Sequence, residues 1–286
     1  MKPETKVKWV YAVMLLFGFL MLLQMGMYVA HQIWNIPLRW NIIQYCVTAI
    51  GEKSSGHVWV KLVFNLVIVY TVGKIAWRIG KQWVLTRKWL CRFREAQHQK
   101  LTKRLNKKYR HWNTEFIVIE DHAFLALALG VWKPKIIVSS ALFDLFDERE
   151  VRAILLHEWY HCRNRDNLKF FLSTLMVDAF GYLPIVKSTA QYYQTWKELL
   201  ADRFAVKQMG TEIDLGNVLL TLANHTKMVQ YRAAGVYFAN TAINYRIQQL
   251  LEPQKTVEVP LTLYRPLFLS SLTLFLMSSL LFGGCS

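Results

Sequence analysis

The run His157-Glu158-Trp159-Tyr160-His161 restricts the fold of this chain more than any other segment. Two histidines four apart leave a helix from the same face, so both imidazoles can reach one point, with the intervening glutamate beside it. An ordinary helix with two polar histidines would satisfy so short a pattern too, and the surroundings argue against that. Asp147 reads as an N-cap with Glu150 three residues on to close a capping box, and Val151, Ile154 and Leu155 supply an apolar stripe of helical spacing. The helix is therefore expected to begin about ten residues before His157. Histidines on a buried helix need partners, and a metal ion supplies them.

A catalytic zinc ion takes three protein ligands and keeps a fourth position for water. The third ligand is expected on a later helix, where Trp196–Ala205 offers Glu198 and Asp202. Like charges at that spacing repel slightly on a plain surface helix. A solvated helical face is the bland account of the pair. In the metal reading Glu198 completes a His157, His161 and Glu198 ligand set. Asp202, one turn on, then accepts the free ring N–H of a bound histidine, His157 by preference, and fixes its tautomer. Glu158 is the candidate general base, taking a proton from attacking water and returning it to the leaving amine.

The order H-E-x-x-H, then E-x-x-x-D some tens of residues later, resembles the pattern of gluzincin metallopeptidases. The chain is more closely similar to membrane-embedded bacterial peptidases of the antirepressor type, represented by the beta-lactam sensor-transducers. Residues 123–140 (AFLALALGVWKPKIIVSS), HEWYHCRNRD, KELLADRFAV and the stretch Asn244–Leu250 carry the resemblance, which covers roughly residues 114–252. It implies a zinc endopeptidase acting on a protein or peptide, with a cytoplasmic transcriptional repressor or a signalling protein as the substrate class. Arg246 is a candidate oxyanion donor on that resemblance alone; a structural ion pair explains it equally well. No counterpart of the large extracellular penicillin-binding sensor is expected, so beta-lactam sensing is not carried over. A membrane quality-control protease and a non-catalytic membrane transducer are the rival functions.

Hydrophobic residues make up 53% of the 286-residue chain and are clustered. Val10–Ala30 and Val58–Ile79 are long and apolar enough to cross a bilayer, and Leu267–Phe282 is a shorter third candidate. The first is expected to stay as an anchor, since no small-residue cleavage site follows it. After the second span comes a basic run including Lys81, Arg87, Lys88, Arg92, Arg94, Lys100, Lys103 and Arg104, which accounts for most of the net charge of +16. By the positive-inside rule the N-terminus and the catalytic region face the cytoplasm, and residues 31–57, with only Arg39 and Lys53 as strong cations, form a short external loop. Anionic membrane lipid is the expected partner of the basic run, and nucleic acid is disfavoured. Cys46, Cys91, Cys162 and Cys285 form no C-x-x-C pair, and Cys162 reads as a small buried residue. The sequence carries no sign of oligomeric state.

Leu168–Val186 is apolar enough to suggest another span, yet it lies between His161 and Glu198. A straight crossing would separate them by about 30 Å. The segment must instead dip and return, with Gly181 and Pro184 placed to break it and the return leg, from about Ile185, feeding the Glu198 helix. This puts the site near the inner membrane surface. Asp178 within it calls for a protein or water contact. Upstream, Glu115–Glu120 and Lys135–Ser139 read as short strands flanking Ala123–Leu129, where Ala126 and Ala128 leave room for a second backbone. An edge strand beside the metal could hold an extended substrate; a plain hairpin on the zinc helix explains the same residues. Glu120, His122 and His225 are further polar groups with nothing in their spacing to raise them above surface residues.

The expected fold is α+β, mainly helical, an integral membrane protein with a cytoplasmic gluzincin-like domain and a small β-sheet. Its expected segments are an N-terminal transmembrane hairpin (1–80), a basic juxtamembrane segment (81–113), a metallopeptidase domain (114–262) with its helical hairpin near 168–196, and a C-terminal transmembrane helix (263–283).

Overall fold

A computed structural model describes residues 3–34, 55–225, 236–252, 257–261 and 264–272. The expected external loop, with Arg39, Cys46 and Lys53, lies largely outside these residues, as do most of the third span, Cys285 and the side chain of His225. The described chain is mainly helical. It begins with α1 (Pro3–Trp34) and α2 (Ser55–Glu95), followed by α3 (Gln99–Lys108) and a single 3-10 turn (Arg110–Trp112). Next come β1 (Phe116–Ile119), β2 (Ala126–Leu129) and β3 (Lys135–Ser139), then α4 (Ala141–Leu145), α5 (Glu148–Arg163), α6 (Asp166–Ala179), α7 (Pro184–Met209), α8 (Ile213–His225) and α9 (Val236–Leu251). Residues 123–129, left between two strands by the sequence, thus supply a third strand of their own.

The chain divides into two compact units, one of residues 1–80, 172–190 and 261–286, the other of residues 81–171 and 191–260. α1, in the first unit, and α2, whose residues from Lys81 on belong to the second, each hold a stretch long and apolar enough to cross a membrane, Glu4–Trp34 and Lys61–Glu95. Trp9, Phe19, Leu66 and Val69 lie exposed along them, as side chains facing lipid would. α1 meets the C-terminal part of α6 at Gly18, where a Cβ would overlap Met176 Sδ, so only glycine permits this approach without moving the methionine. Asp178 forms an ion pair with Arg78 of α2, which supplies the protein contact its place in an apolar segment demands. The α6–α7 break falls at residues 180–183, between Ala179 and Pro184. Proline suits the first turn of a helix, where its missing N–H is not needed. α7 then runs unbroken past Glu198, so the return leg and the Glu198 helix are one element.

The second unit is built on a three-stranded sheet of order β1-β3-β2, with β3 parallel to β1 and antiparallel to β2. Phe116–Ile119 and Ile136–Val138 are buried on both faces, which is why these strands are continuous β-branched and aromatic runs. Ala126 and Ala128 turn toward the main core formed with α5, while Leu127 and Leu129 pack with Ile117 and Ile137 on the other face. The small side chains let α5 close on the sheet. α5 starts with the capping box expected, Asp147 accepting from Glu150 N at 2.7 Å and Glu150 Oε2 accepting from Asp147 N at 3.1 Å. Such a cap contributes about 1 kcal/mol and fixes where the helix begins, hence where His157 falls on it.

Candidate metal centre

His157 and His161 sit one turn apart on α5, both buried, because the apolar stripe of Val151, Ile154 and Leu155 holds the helix in the core. α7 brings Glu198 against them. His157 Nε2 and His161 Nε2 are 3.1 Å apart, and Glu198 Oε2 stands 3.3 Å from the first and 3.7 Å from the second. Ligand atoms on a tetrahedral first-row ion, each 2.0–2.2 Å from the metal, are about 3.3–3.6 Å from one another. The three donors lie within 4.8 Å of each other and could hold a metal ion.

The far side of each ring explains why the near side is aimed inward. His157 Nδ1 lies 2.8 Å from Asp202 Oδ1, and His161 Nδ1 lies 2.9 Å from Asp166 Oδ2. A carboxylate only accepts, so in a neutral ring the proton belongs on Nδ1, and each Nε2 would then present a lone pair to a metal ion. Two imidazole lone pairs and one carboxylate oxygen converging within 4 Å repel one another unless a cation or a proton joins them. The donor set therefore fits a divalent metal.

The electrostatics say the same. Burial alone would pull the His161 pKa down, but the Glu198 charge and the hydrogen bonds to Asp166 and Glu198 outweigh it and raise it to about 9. Burial and the Arg246 charge lower that of His157, and hydrogen bonds to Asp202 and Glu198 more than restore it. Glu198, despite burial, is held well below the usual carboxylate range by Lys197 and by both histidines. Asp202 is likewise lowered against its burial, chiefly by Arg246.

Asp202 is fully buried and gripped by Arg246, whose Nε donates to Oδ2 at 2.6 Å and Nη2 to Oδ1 at 2.8 Å. Arg246 Nη1 is also 3.8 Å from Glu198 Oε2. One turn along α9, Gln249 donates to Leu199 O at 3.0 Å and accepts from Arg203 Nε at 2.8 Å. The Asn244–Leu250 stretch thus locks α9 on α7, and the guanidinium is an ion-pair partner of the buried carboxylates. Glu158 follows His157, half-buried, and its carboxylate makes no hydrogen bond or ion pair among the described residues. Its charge bears on His161, Cys162 and Arg246, which puts it beside the cluster.

His157, His161, Glu198 and Asp202 are thus brought together, with Glu158 and Arg246 alongside. Glu120 and His122 stay exposed and have no contact with the cluster among the described residues. Cys162 is buried and its thiol is pushed up to about 12, first by burial and then by the Glu158 and Asp166 charges, which leaves it an inert side chain. Asp166 was missed by the sequence reading. Its signal was its place five residues after His161, just beyond the helix end, where Arg165 at φ +52° turns the chain back.

The sequence pattern of the BlaR1 peptidase M56 family matches residues 40–250, which span α2 to α9 and every residue of this cluster. The chain belongs to that family. It is similar to the regulatory protein BlaR1 of Bacillus licheniformis, 28% identical over 96 residues. That alignment takes in 33% of this chain and 16% of the relative, so most of the relative has no matched counterpart here. The family is one of metallopeptidases, which agrees with a donor set suited to a metal ion.

Proposed function

We propose that the chain is a multi-pass membrane zinc endopeptidase whose catalytic centre faces the cytoplasm. The observation that carries the reading is the triangle of His157 Nε2, His161 Nε2 and Glu198 Oε2, with each histidine backed by its own carboxylate. A zinc ion held by these residues supplies a Lewis acid that polarises a peptide carbonyl and acidifies water. Glu158, next to the ligands and without a hydrogen-bonding partner among the described residues, takes the proton from attacking water and hands it to the departing amine. Asp202 and Asp166 keep the histidine tautomers fixed through the cycle. Arg246 holds Asp202 ionised. The gluzincin-like domain is formed by the sheet with α5, α7 and α9.

The substrate is a protein, and the family relationship to a regulatory protein favours a transcriptional repressor or a signalling protein in regulatory proteolysis. Anionic lipid is the partner we assign to the basic part of α2. There Arg87 lies over the Trp83 ring at 3.8 Å and Trp83 is 57% exposed, a pairing of cation and indole suited to a headgroup layer. The test of function is a comparison of the membrane and cytoplasmic proteome in cells carrying the wild type or Glu158→Gln. Cleavage products confined to the wild type support the peptidase. Identical proteomes with unchanged cellular function and bound zinc would transfer the case to a non-catalytic transducer.

A further inference from the structure

Two consecutive side chains connect the metal ligands to the open edge of the sheet. Asp166 meets His161 Nδ1, and Asn167 donates through Nδ2 to Ala128 O at 2.8 Å and to Gly130 O at 3.0 Å. The register shows why Ala128 O is free to be bound. β2 and β3 are antiparallel with Ala126 opposite Val138, Leu127 opposite Ile137 and Ala128 opposite Ile136. Ser139 N donates to Leu125 O, so Leu125, and by alternation Leu127 and Leu129, face β3 with their main-chain groups. Ile136 N donates the other way, to Glu115 O on the β1 side. Ala126 and Ala128 therefore direct N–H and C=O away from β3, to an edge that no strand covers among the described residues.

Asn167 closes part of that edge. With Ala128 O taken, β2 keeps, among the described residues, two outward donors, the N–H groups of Ala126 and Ala128, and a single outward acceptor, Ala126 O. Resting on the peptidase reading above, we propose that Asn167 is a positioning residue for an extended peptide substrate. Among the described residues it leaves β2 one outward main-chain acceptor, Ala126 O, and the substrate N–H that meets it sets the register of the docked peptide. Through its neighbour Asp166 it fastens that register to the metal ligand His161. Small substrate residues are not demanded by this arrangement; an extended backbone is.

The consequence is a proline rule. Only the substrate residue whose N–H meets Ala126 O cannot be proline. The residue two positions away, opposite Ala128, needs no N–H because Asn167 already fills that acceptor. Asn167→Ala frees Ala128 O and creates a second position where proline is disfavoured.

Zinc-loaded full-length protein in nanodiscs is given casein, an unfolded and proline-rich protein, and the fragments are sequenced by mass spectrometry with Glu158→Gln as control. Leaving aside the two residues at the scissile bond, wild type should show one position depleted of proline about tenfold and none two residues from it. Asn167→Ala, at full zinc content, should show a second depleted position two residues from the first. Two depleted positions in wild type, or none, overturn the proposal, as does a variant profile identical to wild type. Should the variant fail to bind zinc, the wild-type profile decides. Absence of any Glu158-dependent cleavage removes the peptidase reading and this proposal together, whereas Glu158-dependent cleavage with the wrong proline profile removes the register alone.

Discussion

Asp166→Asn changes one oxygen for one nitrogen, yet the structure gives the new amide no good orientation. In the native site Asp166 is 1% exposed; Oδ2 faces His161 Nδ1 at 2.9 Å, while Oδ1 accepts from Asn164 Nδ2 at 3.0 Å and Tyr193 Oη at 3.3 Å and lies 3.6 Å from Lys169 Nζ. An asparagine has one acceptor for both sides. If its oxygen faces His161, its NH2 group meets the Lys169 ammonium, which cannot turn into an acceptor as Tyr193 or Asn164 can. If its NH2 group faces His161, Nδ1 must accept, the ring proton moves to Nε2, and the lone pair needed by the metal is gone. Removing a partner that orients a metal ligand costs 10- to 100-fold in metal affinity, about 1.4–2.7 kcal/mol. The conflict on both sides places Asp166→Asn toward the upper end of that range.

The assay is competition for zinc between a chromophoric chelator and the purified full chain, with circular dichroism to confirm that helix content is kept. Asp202→Asn is the matched comparison, acting on His157 from the opposite side of the cluster. Affinity within about twofold of wild type in a folded Asp166→Asn protein would refute the claim that this carboxylate fixes the His161 tautomer.

Metal uptake should release protons. The His161 pKa is raised to about 9 in the metal-free fold, so below that value the ion must displace a proton, and affinity should climb from pH 6 until it levels near 9. Calorimetry in buffers of different ionisation enthalpy reads the proton count, and pH-independent binding would contradict the assignment. For the metal-free protein, a folded pKa above the unfolded value means that His161 stabilises the fold fully below about 6.5 and loses this contribution as pH rises through about 9. Thermal melts of the chelated protein should fall over that window. Arg246→Ala strands the fully buried Asp202 and should cost about 3–5 kcal/mol, with Arg246→Ala/Asp202→Asn recovering a part; denaturant melts that show no loss in the single variant would remove the ion-pair role. Asp178→Ala leaves Arg78 unpaired and should lower the melting temperature in detergent more than Arg78→Ala/Asp178→Ala does, an order whose reversal counts against a structural pair.

What the sequence made legible follows physical range. The α5 cap, its apolar stripe and the two histidines are local, set by residues within a few turns, and a 3.6-residue period displays them directly. Glu198 and Asp202 share one face of α7, so once a metal is assumed helical spacing alone sets both against the histidines, and the roles proposed for them rest on that placement. The break between α6 and α7 was legible for a different reason: His161 and Glu198, if they share a metal ion, cannot lie a bilayer apart. β2 was harder, because Ala-Leu-Ala-Leu has weak strand propensity and owes its conformation to pairing with β3 and to α5 packing on its alanines.

Asp166 and Asn167 mark where reading by period stops working. They follow Arg165, whose positive φ ends one helix and redirects the chain into the next, and no periodicity carries across such a turn. The redirected chain sends Asp166 back to His161 and Asn167 outward to the strand edge. A one-residue insertion here would exchange or displace both contacts at once, whereas one in the exposed turn near Gly210 would leave both in place. The cluster should therefore tolerate length changes after α7 and none between His161 and Asn167. Zinc content and Glu158-dependent cleavage, measured on the two insertion variants, separate this account from one in which the α5–α6 turn is a passive connection. Equal zinc content and equal cleavage in both would make that turn passive.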